Sequence, residues 1–225
     1  LGQLGLRVVT TTGAPLAIKI KNKDWSNWQE KMSVIKKFNV GKLTLPRPGH
    51  SDYAGLLKYG LDDIRDVLER SSARETAAQT AAGAIAKLIL ANFNIEIFSH
   101  TICIGNIRIT KSYSIADIKK IYNDVVLRCV DKTVEKRMTR LIDEVKRAGD
   151  TIGGIFEVII LNAIVGLGSY IQYNTKIDAK LAAAALAIQG IKGVEFGAGF
   201  SGALLRGSQY HDCFGLRNKK IIRLT

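Results

Sequence analysis

The sequence predicts an α+β fold: a β-α-β sandwich in which alanine-rich helices lie between antiparallel sheets. Three observations point there. Two stretches, "ARETAAQTAAGAIAKLIL" and "DAKLAAAALAI", have side chains small enough to let a helix approach neighbouring layers closely. Short runs rich in β-branched residues, bounded by turn residues, fill much of the remaining chain. Each alanine-rich helix also precedes a run opening with Ile/Val-Glu, which suggests an internal duplication. With 225 residues, 47% of them hydrophobic and 24% charged, the chain reads as a single domain over residues 1–225 with a sizeable core.

The elements follow in order. A turn at Thr12-Gly13-Ala14-Pro15 leads into a short strand, "LAIKI", and a polar connector with Trp25 and Trp28 runs to Pro48. A helix is expected over Ser72–Asn92, with Ser72 and Glu75 in the S-x-x-E relation of a capping box. Strands are expected at "IEIF", "TICIG" and "IRIT". The spacing of Val134, Met138, Leu141, Ile142 and Val145 predicts a helix over Asp131–Arg147, ended by Gly149. "GIFEVIIL" reads as a strand. The apolar run Ile152–Ile171 contains Glu157, Asn162 and several glycines, so two buried strands around a loop are expected there and no membrane span. A second alanine-rich helix, Asp178–Ala187, stands behind Thr175-x-x-Asp178, and "GVEF" follows as a strand. The chain closes on a basic hairpin with Arg217-Asn218-Lys219 at its turn.

Charge and cysteine usage narrow the function classes. An excess of 33 Lys+Arg over 20 Asp+Glu favours anionic partners. The cations are dispersed, with short clusters at Lys19-Lys21-Lys23, Lys36-Lys37 and Lys219-Lys220, and most read as solvated surface. No basic stripe interleaved with aromatics is present, so no nucleic-acid partner is expected. Cys103, Cys129 and Cys213 form no CxxC pair and no disulfide framework, which points to a reducing cytoplasm. His50, His100 and His211 share no metal-ligand spacing with each other or with the cysteines, and no metal is expected. Gly197-Ala198-Gly199-Phe200-Ser201-Gly202 matches G-x-G-x-x-G, but a dinucleotide site needs an immediate helix and a later acid. "ALLRGSQ" opens a helix poorly and the region around Arg217 is basic, so those glycines are assigned to turns.

Two stretches carry chemistry. In "RPGHSD", Pro48 and Gly49 fix a turn from which Arg47 and His50 project together, an arrangement suited to a general acid beside an anion clamp. In "ERSSARETAAQ", Arg70, Ser71 and Ser72 place a cation and two hydroxyls ahead of a helix whose first N–H groups carry partial positive charge. That mouth reads either as an anion site or as a simple cap by Ser72.

Taken together, "TTGAPLAI" (Thr11 to Ile18), "RPGHSDY" (Arg47 to Tyr53) and "KYGLDDIRDVLERSSARETAAQTAAGAIAK" (Lys58 to Lys87) resemble the chorismate synthase family. "GDTIGGIFEV", "GLGS", "KIDAKLA", "IQGIKGVEFGAGF" and "RGSQYHD" continue the resemblance in family order, with Ile107 to Met138 weakly matched. It implies conversion of 5-enolpyruvylshikimate 3-phosphate to chorismate, the last step of the shikimate pathway, by 1,4-anti elimination of phosphate. The implied cofactor is reduced FMN, which lends an electron and recovers it. The implied assembly is a homotetramer.

Carried over by motif, the resemblance makes His50 the general acid toward the reduced flavin, since an imidazole changes charge near neutrality. It makes Arg47 and Arg70 the holders of substrate anions, through guanidinium forks suited to phosphate and carboxylate. It places Arg70, Ser71, Ser72, Gln189 and Gly190 in the flavin site; Arg74 lies in the same motif, and an intrahelical ion pair accounts for it equally well. Ser51 and Gly190 stand where the family usually has alanine, and "IVGLGS" where "PPGLGS" is common. The family's "GESHG", "AGGxEGG" and "KPxPT" segments and a catalytic aspartate have no counterpart in the 225 residues, which implies a partial chain. The alternative left open is a non-catalytic fragment keeping only fold and oligomer contacts.

Overall fold

The computed structural model describes residues 15–35, 38–72, 74–121, 123 and 126–224, and of Arg74 the backbone alone. The turn expected from Thr12, the first residues of "TTGAPLAI" and the Lys36-Lys37 pair lie outside these. The architecture is mixed α and β with small antiparallel sheets. The chain divides into two units, one drawn from Leu1–Ile20 and Ala78–Val165, the other from Lys21–Ala77 and Gly166–Thr225.

In the first unit, helix α3 (Arg74–Ala91), which begins in the second, ends at a turn where Asn94 takes φ 57°. It leads into β1 (Glu96–Ile104), β2 (Ile107–Arg108), α4 (Ile115–Lys120), α5 (Lys132–Arg147) and β3 (Gly154–Leu161). The strands form an antiparallel sheet of order β2-β1-β3. "IEIF" and "TICIG" thus merge into one strand. Its alternation buries Phe98 and His100, and a bulge between Thr101 and Cys103 shifts the parity so that Cys103 returns to the buried side.

Helix α5 forms where its apolar spacing predicts. Asp131 caps it by accepting from the N–H groups of Thr133 and Val134 at 2.9 and 3.1 Å. Gly149, at φ 71°, follows its last turn. Val134 and Met138 on its inner face join Cys129 in a core, with Ile104, Ile107, Ile109 and Leu127 packed around them. The expectation of two buried strands over Ile152–Ile171 is corrected. Only β3 forms, and it is largely exposed because it is the outer strand and has a ladder neighbour on one side.

The second unit contains α1 (Asp52–Tyr59), α2 (Ile64–Ser71), α6 (Ile177–Leu186), α7 (Gly207–Tyr210) and a hairpin of β4 (Phe214–Arg217) and β5 (Lys220–Arg223). Asn218 and Lys219 both take positive φ, 51° and 61°, the conformation a tight two-residue hairpin turn requires. "LAIKI" and "GVEF" form no strand, since neither finds a ladder partner. Thr175 does not cap α6. Its hydroxyl donates to the Gln172 carbonyl at 2.8 Å and is spent on the preceding turn. Neither alanine-rich helix has a buried residue among those described, so the layer expected between sheets is not built within either unit. The strand that would complete the second copy of a duplication is absent after α6.

Candidate functional site

The bend at Arg47–His50 is held by its own polar groups. The His50 N–H donates to the Arg47 carbonyl at 3.3 Å, and Gly49 supplies the positive φ, 73°, that the turn needs. Asp52, fully buried at the start of α1, accepts three bonds from one residue. The Arg47 backbone N–H donates at 3.0 Å, Nε at 2.8 Å and Nη2 at 3.0 Å. This bidentate grip holds the Asp52 carboxyl down at about 2, with burial opposing it and a smaller contribution from the His50 ring; the Arg47 guanidinium is raised in turn.

His50 is exposed, and its Nδ1 lies 3.0 Å from the Pro48 carbonyl. A carbonyl only accepts, so Nδ1 carries the proton and Nε2 is left for a ligand. Arg47, with 46% of its side chain exposed, has Nε and Nη2 committed to Asp52. It is a clamped residue, not the loose fork the sequence suggests.

The second half of the site is also rearranged relative to the sequence expectation. Arg70 and Ser71 are the last residues of α2, not the entrance of the next helix, and Ser72 is an extended linker with φ −75° and ψ 148°. Helix α3 starts at Arg74, two residues later than expected, and the Ser72 carbonyl accepts from the Glu75 N–H at 3.0 Å. The Ser71 hydroxyl donates to the Val67 carbonyl at 3.0 Å, so toward a ligand it presents lone pairs. These departures have one cause. The charged stretch before Ser72 folds as α2, capped by Asp63, and so converts the expected helix mouth into a helix-to-helix junction.

Gln189 reaches that junction from far along the chain: its Nε2 donates to the Arg70 carbonyl at 3.2 Å, across 119 residues. The Ile191 N–H donates to the Ile188 carbonyl at 3.2 Å, closing a turn in which Gly190 has φ 87°. A Cβ at Gly190 would meet nothing within 4 Å, so one side of this turn is open. The bend and the junction share one helix pair. A Cβ on Gly55 of α1 would lie 2.8 Å from both γ-carbons of Val67 on α2, so only glycine permits this approach. Gly55 lies about one turn from Asp52, and Val67 about one turn from Ser71. An apolar groove of about 410 Å³, lined by Thr44, Pro46, Tyr53, Leu56, Leu57, Gly60 and Leu61, runs beside α1.

His100 belongs to neither half. It lies in the first unit, 5% exposed, with Nε2 2.8 Å from Glu157, and it borders a separate hollow of about 440 Å³. His211, on the residue after α7, makes an edge contact with Tyr210. Among the described residues no cluster of His, Cys, Asp or Glu is suited to a metal, and no helix is long and apolar enough to cross a membrane. The residue that sequence reasoning missed is Asp52. Its signal was present, an acid two positions after His50 at the start of a helix.

Residues 4–222 match the chorismate synthase family model. The chain belongs to the chorismate synthase family. It is 45% identical over 214 residues to a chorismate synthase of Listeria welshimeri, which covers 92% of this chain and 55% of the relative. One of Alkaliphilus metalliredigens is 47% identical over 209 residues, with the same coverage. One of Carboxydothermus hydrogenoformans is 44% identical over 224 residues, covering 98% of this chain and 58% of the relative. A solved crystal structure of a chorismate synthase superposes with a TM-score of 0.70 at 41% identity, over 77% of this chain and 55% of that one. The chain therefore spans a little over half the length of these chorismate synthases.

Proposed function

We propose that this chain carries chorismate synthase chemistry: 1,4-anti elimination of phosphate from 5-enolpyruvylshikimate 3-phosphate to give chorismate, with reduced FMN. The observation that carries the reading is the bond from Gln189 to the Arg70 carbonyl, which joins two stretches of family resemblance 119 residues apart. It stands on the same helix pair as the Arg47–His50 bend.

The side chains fit an anionic, flat, heteroaromatic group. Arg70 is exposed at the end of α2, Gly190 leaves open backbone, Ser71 offers an acceptor, and His50 keeps a free ring nitrogen. Arg70, Ser71, Ser72, Gln189 and Gly190 would hold the flavin. Ser71 suits a ring N–H, and the guanidinium of Arg70 suits an anionic oxygen. When bound, reduced flavin supplies the electron that the elimination borrows and returns. His50 would hold the transferable proton at Nε2 as the imidazolium and be left as the neutral Nδ1–H ring after giving it up, while Nδ1–H stays on Pro48 and fixes the ring. Arg47, clamped by Asp52, and Arg70 hold the substrate's phosphate and carboxylates. A preset cation orients these groups without reorganising at the moment of reaction.

The wider reading is of one functional domain over residues 1–225, acting in the cytoplasm as part of a homotetramer. The test is anaerobic titration of dithionite-reduced FMN with the chain and with Arg70→Ala and Gln189→Ala. Each substitution is expected to weaken binding about tenfold, the worth of one charge-assisted or well-formed hydrogen bond. Equal affinity in all three proteins would overturn the assignment.

A further inference from the structure

One carboxylate closes the turn from Arg47 to Ser51. Asp52 takes the Arg47 backbone N–H and two of its guanidinium nitrogens, and it is fully buried, so it has no solvent to turn to. A buried carboxylate is tolerated only when such partners are present, which ties the position of Arg47 to α1. Within the loop so formed, the His50 N–H goes to the Arg47 carbonyl and the His50 ring to the Pro48 carbonyl. The Gly55 N–H then donates to the Ser51 carbonyl at 2.7 Å, which starts α1 directly behind the turn. These bonds all lie within one turn of chain, and Asp52 anchors that turn at its first residue, Arg47, through three bonds.

We propose that Asp52 is the positioning residue of this site: by clamping Arg47 it holds the Pro48 carbonyl against His50 Nδ1 and so presents Nε2 outward. It touches neither cofactor nor substrate in this scheme and acts through Arg47 and His50. The proposal rests on the functional reading above for its purpose, but its physical content is the state of one ring. An exposed imidazole has little reason of its own to keep the proton on Nδ1, whereas a fixed carbonyl 3.0 Å away requires it. Release of the clamp removes that requirement.

The experiment is long-range proton–nitrogen NMR of the His50 ring in the 225-residue chain, at a pH where histidines are neutral, with His50 assigned through its loss in His50→Gln. The unsubstituted chain is expected to show the Nδ1–H form. In Asp52→Asn, whose neutral amide offers the guanidinium fork one acceptor and sets an NH2 donor against the other nitrogen, that form is expected to fall to a minority. The His100 and His211 rings should be unmoved, and circular dichroism should be unchanged. An Nε2–H ring in the unsubstituted chain overturns the proposal, as does an Nδ1–H ring that persists in Asp52→Asn. An Asp52→Asn chain that fails to fold also overturns it, because the residue would then serve the whole unit and not the turn. The readout needs no flavin and no turnover. Failure of reduced FMN to bind would defeat the enzymatic reading while leaving this result standing, and the reverse also holds.

Discussion

Replacing Asp63 by asparagine tests how α2 is anchored. Asp63 caps α2 by accepting from the Arg65 N–H at 3.0 Å, and it grips the Arg65 guanidinium through Nε, at 2.9 and 3.0 Å, and through Nη2. Arg65 also donates to the Lys31 carbonyl at 3.1 Å, so the pair ties α2 to the connector. Both side chains are little exposed, 13% and 11%. The bond from Arg65 draws the Asp63 carboxyl down from its usual 3.8 to about 2, against the opposing effect of burial. At about 1.4 kcal/mol per unit, the depression corresponds to about 2 kcal/mol of stability at pH 7.

Asparagine caps a helix as well as aspartate does, so Asp63→Asn should lose the ion pair alone. The sign follows from linkage. A carboxyl with a depressed folded pKa contributes its full stability above about pH 4 and loses it as pH falls toward about 2. The gap between the two proteins should therefore be about 2 kcal/mol at pH 7 and about half of that at pH 3. Urea unfolding followed by the fluorescence of Trp25 and Trp28 reads this unit selectively, since the chain has 2 tryptophans and both lie within it. A gap that is absent at pH 7, or that stays constant down to pH 3, would refute the reasoning.

Two further outcomes are expected. Gly168→Ala should destabilise by about 1–3 kcal/mol in urea unfolding, because φ is 75° and the new Cβ would stand 2.8 Å from the Ile177 nitrogen. Gly166→Ala, at φ 95° with open space around it, should cost less; equal costs would contradict the clash. Burial pushes the Cys129 thiol up and its sulfur donates to the Asp131 carbonyl at 3.3 Å, while Cys213 is exposed. Mass-spectrometric labelling with iodoacetamide at pH 8 should modify Cys213 well before Cys129, and the opposite order would contradict the core placement.

How much of this was legible in the sequence depended on whether the deciding contact was local. Helix α5 could be read in full, because its apolar spacing, its Asp131 cap and its terminal glycine all lie within the segment. The hairpin turn at Asn218-Lys219 was legible for the same reason. Helix α2 was not. Its inward residues, Ile64, Val67 and Leu68, are few, no element is expected there from the sequence, and the pairing of Asp63 with Arg65 that caps it shows only in the fold. "GVEF" and "LAIKI" have strand composition but lack a partner, and a ladder is a non-local property that composition does not carry.

The site divides along the same line. The Arg47–His50 bend could be anticipated from Pro48 and Gly49, but the capture of Arg47 by Asp52 could not, because a fork free to hold an anion and a fork already holding a carboxylate look alike in sequence. The union of Gln189 with Arg70 spans 119 residues and became visible only in three dimensions. Family resemblance had named both residues without saying that they touch.

In the proposed function His50, as an imidazolium, is the proton donor of a reduced-flavin lyase, giving up the proton at Nε2. The direct measurement is anaerobic turnover of 5-enolpyruvylshikimate 3-phosphate with dithionite-reduced FMN, following phosphate release and chorismate absorbance for the chain and for His50→Ala. The account predicts product from the unsubstituted chain and a loss of about a hundredfold or more in the variant, the usual worth of general acid catalysis. Equal rates in the two proteins, or no product from either, would contradict it.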